Sequence, residues 1–98
     1  MVKTFKPPRP VALEAQRGLV LWNESNRKCA TPVGVKRAHQ LSRQDEVSLA
    51  TIKRMWSFFK RHKANRKNAL PKCGEVSWLL WGGDSGMRWV NGIMEKLK

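Results

Sequence analysis

An all-α fold, a compact single domain of about five helices, is what this 98-residue chain predicts. Three observations carry that expectation. Apolar residues recur at helical spacing in five separate segments. Proline and hydroxyl cap signals stand at several of their starts. No segment of any length alternates with the period of two that a half-buried strand needs. The length suits one domain with one modest core, burying ~65% of the surface the unfolded chain would expose. We expect a basic Pro-rich arm over residues 1–9 and a helical domain over 10–98.

The arm, MVKTFKPPRP, holds Lys3, Lys6 and Arg9 between Pro7, Pro8 and Pro10. Proline lacks an N–H and pushes the preceding residue out of the helical region, so the segment reads as extended. The first helix is expected over 10–23. Val11, Ala15, Leu19 and Trp22 form its stripe, widened by Leu13, Val20 and Leu21, and Pro10 suits the first turn. Thr31-Pro32 is a start signal, an N-cap hydroxyl followed by proline at the first helical position. A second helix over 32–42 follows, with Val35, Ala38 and Leu41 on one face.

Ser48 is read as the next N-cap. The third helix, over 49–63, has Leu49, Ile52, Met55, Trp56 and Phe59 within one arc when each residue turns the chain by about 100°. The opposite arc holds Lys53, Arg54, Ser57, Lys60 and Arg61, with Phe58 and His62 at the flank. A basic loop is expected over 64–74. A short fourth helix begins near Glu75 and is apolar nearly all round (Val76, Trp78, Leu79, Leu80, Trp81), which makes it the centre of the core, packed by Trp56, Phe59, Trp89 and Leu19. Gly82-Gly83 ends it. Asp84 or Ser85 then caps a fifth helix over 86–97.

Charge sets the functional expectation. Lys and Arg number 20 against 7 Asp and Glu, a net +13. Between Glu46 and Glu75 lie Lys53, Arg54, Lys60, Arg61, Lys63, Arg66, Lys67 and Lys72 with no acid among them. A merely solvated helix face gains from mixed signs, because opposite charges three or four residues apart attract and like charges repel by a few tenths of a kcal/mol. A polyanion relieves that repulsion. The expected partner is therefore nucleic acid, double-stranded DNA first and RNA as a variant. An acidic protein is the alternative, and a purely solubilising role the plainest one.

The candidate contact residues are Lys53, Arg54, Ser57, Lys60 and Arg61, extended by Lys63, Arg66 and Lys67. Lys36 and Arg37 flank them as phosphate clamps, and Lys3, Lys6 and Arg9 reach from the arm. Helices two and three have the outline of a helix-turn-helix, which would bring Ala50, Thr51, Lys53 and Arg54 towards base edges; ordinary bundle packing gives the same order of elements. Trp56, Trp78, Trp81 and Trp89 sit on apolar faces and read as core. Trp22 and Phe58 are the aromatics that could stack on a base or anchor an acidic partner.

Catalysis finds no constellation. Asp45, Glu46 and Asp84 read as turn and cap residues, and no acid pair, nucleophile–base pair or phosphate loop is evident. Cys29 and Cys73 lack the close spacings to each other, and His39 and His62 to each other, that mark a zinc site. The two cysteines read as free thiols of a reducing compartment, with a lone disulfide as the alternative. No cofactor or metal is expected. No run of 18 apolar residues exists and the N-terminus has no apolar signal region, so no membrane span is expected.

Four stretches together, KPPRPVALEAQRGLVLWNE, TPVGVKRAHQLS, VSLATIKRMWSFFKRH and VSWLLWGGDSGMRWV, give the chain a further likeness. In their order and spacing, and above all in the WLLWGGDSG run, it resembles a family of small helical proteins and domains of tailed bacteriophages, some free-standing and some attached to virion-related proteins. The resemblance implies a phage origin, a compact helical domain, and action in the host bacterial cytoplasm or in association with the virion. The chain departs from the family pattern after the RH of the third helix, where acids are usual and Lys63 and Asn65 stand here. That departure puts any shared acidic or metal-related role in doubt and adds positive charge.

Overall fold

The computed structural model describes residues 3–25, 29, 31–65 and 71–97. In chain order they form β1 (Thr4–Phe5), α1 (Arg9–Glu24), α2 (Pro32–Ser42), β2 (Val47–Ser48), α3 (Leu49–Asn65), α4 (Pro71–Leu80) and α5 (Gly83–Lys96). The fold is mostly α. The two short strands pair antiparallel, Thr4 with Ser48 and Phe5 with Val47. Two residues per strand are too few to leave a periodic trace in sequence.

α1 is the hub, packing against α2, α4 and α5, while α3 packs chiefly against α5. Its buried residues are Val11, Ala12, Ala15 and Gly18. Gly18 explains why α1 and α4 come so close: a Cβ there would lie 2.7 Å from the Leu80 backbone nitrogen and 2.9 Å from the Leu79 carbonyl carbon. Leu13 and Val20, expected to widen the inward stripe, instead face outward, 50% and 56% exposed. At about 100° per residue both lie opposite Val11 and Ala15, so their apolar character could not bring them inside.

The centre of the core is as expected on α4, where Val76, Trp78, Leu79 and Leu80 are buried. Phe59 packs edge-on against Trp78 with centroids 4.9 Å apart. Trp56, Trp89 and Leu19 only half-bury around it. Phe58, placed at the flank by sequence, is buried at 5% exposure and stacks on Trp81, 4.6 Å between centroids and 13° between planes.

Three boundaries differ from expectation. Of the basic loop expected over 64–74, residues 64–65 continue α3 and 71–74 open α4, and 66–70 lie outside the described residues. Pro71 begins α4 in the same way that Pro32 begins α2, at a position whose N–H has no intrahelical acceptor. α5 starts at Gly83, and the N-cap position is Gly82, without a side-chain cap. Gly82 and Gly83 have φ of +112° and +65°, the left-handed region where a Cβ is strained.

Cys29 and Cys73 form a disulfide, Cα–Cα 4.8 Å, across 44 residues of sequence. The expectation of free thiols is thereby corrected: packing of α2 and α4 on α1 brings the two cysteines together, a juxtaposition that spacing cannot reveal. On the chain-entropy account a loop this long stabilises the fold by about 4 kcal/mol.

Candidate nucleic-acid interface

α3 is positioned from its first residue. Ser48 Oγ accepts the Thr51 backbone N–H at 3.2 Å, the expected N-cap. Ile52, Met55 and Phe59 are buried against the core. The opposite arc carries Ala50, Lys53, Arg54, Ser57, Lys60 and Arg61, every one exposed. Lys53 and Lys60, and likewise Arg54 and Arg61, are seven residues apart, about 10.5 Å along the axis. The four cations thus form two short rows on one side of a rigid rod. Residues 49–65 contain no acid. Glu95 of α5 lines a hollow together with Lys53.

The remaining predicted contacts divide. Lys63 and Lys36 are exposed. Arg66 and Lys67 lie outside the described residues. Lys3 and Lys6 are exposed on an arm that is fastened rather than loose, and Arg9, expected on the arm, is exposed as the first residue of α1. Beside the β1–β2 pairing, Thr4 Oγ1 donates to Glu46 Oε1 at 2.8 Å and Gln44 Nε2 donates to the carbonyl of buried Pro7 at 2.9 Å. Pairing with Ser48 anchors the arm at the start of α3.

Arg37 is not available as a phosphate clamp, being 6% exposed. It shares the inward face of α2 with Gly34, Ala38 and Leu41. Its guanidinium lies over the Trp81 ring at 5.7 Å, Nη1 donates to Gln40 Oε1, and Nε is buried without a hydrogen-bond partner. Desolvation, and then the nearby charge of Arg54, hold its pKa below the ordinary guanidinium value.

The helix-turn-helix outline is only partly realised. α2 and α3 are consecutive, but the connection contains β2, and each takes its main packing partner elsewhere, α1 for α2 and α5 for α3. At the start of α3, Lys53 and Arg54 are free to reach a groove, whereas the Thr51 hydroxyl lies 3.3 Å from Ser48 Oγ, within the cap.

Several carboxylates are occupied structurally. Glu14 accepts the backbone N–H groups of Asp84 and Ser85 through its two oxygens, at 3.2 and 2.8 Å. Asp84 accepts the indole N–H of Trp78 at 2.7 Å, and Arg43 pairs with Asp45 at 2.8 Å. Among the described residues no group of three His, Cys, Asp or Glu side chains could hold a metal ion, and no helix is long and apolar enough to cross a membrane.

Two aromatics change their standing. Phe58 is covered by Trp81 and by the His62 ring, 4.0 Å away, and offers no free face to a partner. Trp56, read from sequence as core, is half-buried at the rim of the basic arc, with Lys60 Nζ 4.2 Å from its ring centroid. The signal was present in the register, since Trp56 stands three residues after Lys53 and four before Lys60. Trp22 is half-buried beside a hollow of about 660 Å³ that Lys36, His39 and Arg43 also line.

Compared with known protein families, with curated proteins and with solved structures, the chain finds no match.

Proposed function

We propose that this is a phage-encoded, non-catalytic nucleic-acid-binding protein that holds double-stranded DNA on the outer face of α3. The observation that carries the reading is the exposed quartet Lys53, Arg54, Lys60 and Arg61 on an acid-free helix. Two guanidinium forks and two ammonium groups on a rigid rod suit phosphate oxygens, with Ser57 between them as a hydroxyl donor. Lys63 extends the rows, and Lys36 of α2 is a further exposed cation. The arm adds Lys3 and Lys6 beside the start of α3, and Arg9 follows at the start of α1.

The resemblance to tailed-phage proteins supports a bacterial host as the setting. A purely cytoplasmic site sits least easily with the Cys29–Cys73 disulfide, which favours an oxidising environment; association with the virion accommodates it. A second reading has one observation in its favour. The hollow at Trp22, rimmed by Lys36, His39 and Arg43, suits an acidic segment of a host or virion protein.

Titration of a short labelled duplex at roughly 50 and 200 mM salt tests the proposal. About four phosphate contacts would weaken binding by roughly 10²-fold over that range. Lys60→Glu/Arg61→Glu should lower both the affinity and the salt slope, the latter by about 2. Unchanged binding in the double variant would remove α3 as the DNA surface. Loss of partner capture on Trp22→Ala alone would instead favour the acidic-protein reading.

A further inference from the structure

Trp56 differs from the core tryptophan Trp78, which is 2% exposed. It is half-buried, packed in part against the core, and the Lys60 ammonium lies 4.2 Å from its ring centroid. A lysine head reaches a ring face only where that face opens to solvent. The indole lines two hollows. One, of about 760 Å³, is shared with Leu49, Lys53 and Met94; the other, of about 300 Å³, with Lys60, Lys63 and Met87. Asn91 of α5 lines both and is exposed, so its amide can donate and accept at the same place.

We infer that Trp56 is a stacking platform for an unpaired nucleobase, with Lys53, Lys60 and Lys63 around it for the flanking phosphates. This rests on the nucleic-acid reading above and deepens it: beside the duplex-facing rows of α3 is a place for one opened or frayed strand. Every base has a π-face, so an indole flanked by cations takes unpaired bases without regard to sequence, while a closed duplex hides those faces in its own stack. Lys60 is the mobile element. Its flexible stem lets the ammonium leave the ring for a phosphate as the base arrives, so a cation–π contact is replaced by base stacking and a phosphate contact. Met87 and Met94 give the hollows adaptable apolar walls, and Asn91 stands ready for a base edge. Glu95, beside Lys53, disfavours a second phosphate at that end and so orients the strand towards Lys60 and Lys63.

The test compares two probes with the same phosphate chain, an oligothymidylate of about 12 nucleotides and its abasic counterpart, by fluorescence anisotropy with the full chain. Wild type should bind the base-bearing strand about tenfold more tightly than the abasic one. Trp56→Ala should erase that difference while leaving duplex binding in place, and Trp56→Phe should keep most of it. Equal affinity of wild type for the two probes overturns the inference without touching duplex binding by α3. So does a Trp56→Ala loss that is the same for both probes, or displacement of the strand as readily by polyglutamate as by unlabelled oligothymidylate, which would point to an acidic protein. If wild type binds neither duplex nor strand, the wider nucleic-acid reading fails with it.

Discussion

The corner where α1, α4 and α5 meet and the outer face of α3 dispose of charge in opposite ways. At the corner, Glu14 reaches 70 residues along the chain to the first turn of α5 and Asp84 takes the Trp78 indole. Each carboxylate there is spent on a backbone or ring N–H, and the negative charge at a helix N-terminus is favourable in its own right. On α3 the cations have no acid of their own helix to answer them. The large net charge is therefore more than a matter of composition. Glu14 and Asp84 are drawn into structural work, while most cations of α3 are left on a surface that an external anion can neutralise.

That contrast can be broken at its structural end first. Trp78→Ala removes a fully buried ring together with its bond to Asp84, and should cost about 4 kcal/mol in urea unfolding. A loss under 1 kcal/mol would mean that the corner is not the anchor described. Glu14→Ala leaves two N–H groups of α5 without their acceptor, for an expected loss of about 1–2 kcal/mol. For a domain of this size that is a fall of several degrees in Tm, on the order of 4–8 °C per kcal/mol. Glu14→Gln, which keeps one acceptor oxygen, should fall between wild type and alanine.

Arg37 tests the boundary between the two regions. Among the described residues it is the one cation of the predicted surface that the fold takes inside, and its Nε is left unpaired. Replacing it with an apolar side chain of similar length, Arg37→Met, should be neutral or stabilising by up to about 1 kcal/mol, because the desolvated charge goes with it. A loss above 2 kcal/mol in the same urea measurement would show that the contact over Trp81 outweighs the desolvation. The smallest effect belongs to the outer face. Arg54→Ala/Arg61→Ala should leave stability within about 0.5 kcal/mol of wild type, with any change upward as like-charge repulsion is relieved. A marked destabilisation would turn the cations from a waiting surface into part of the fold.

What the sequence reveals tracks how local each feature is. α2 matches its expected bounds because Thr31 and Pro32 announce its start within two residues, and the Thr31 hydroxyl does accept the Gly34 N–H. The outward arc of α3 was legible because it needs only the period of the helix. Pro71 carried only half of the signal at Thr31-Pro32, since Leu70 and not a hydroxyl residue precedes it, and its basic surroundings read as loop. Arg37 was misplaced although its register with Gly34, Ala38 and Leu41 pointed inward; its charge argued for the surface and packing against Trp81 prevailed. Phe58 needed knowledge of where Trp81 lies, Glu14 of where α5 begins, and Cys29 of where Cys73 ends up. These depend on contacts between distant parts of the chain, which no local pattern encodes.

The disulfide also alters what a protease can do to this molecule. Cys29 and Cys73 enclose the whole of α2 and α3. A single backbone cut between them, α3 included, should leave one covalent object of unchanged mobility on a non-reducing gel, separating into two pieces only when a reductant is added. A nick within the enclosed span thus leaves the two flanking parts of the chain, the arm and α1 on one side and most of α4 with α5 on the other, tethered through Cys29 and Cys73. Damage in that span can then be borne without dissociation.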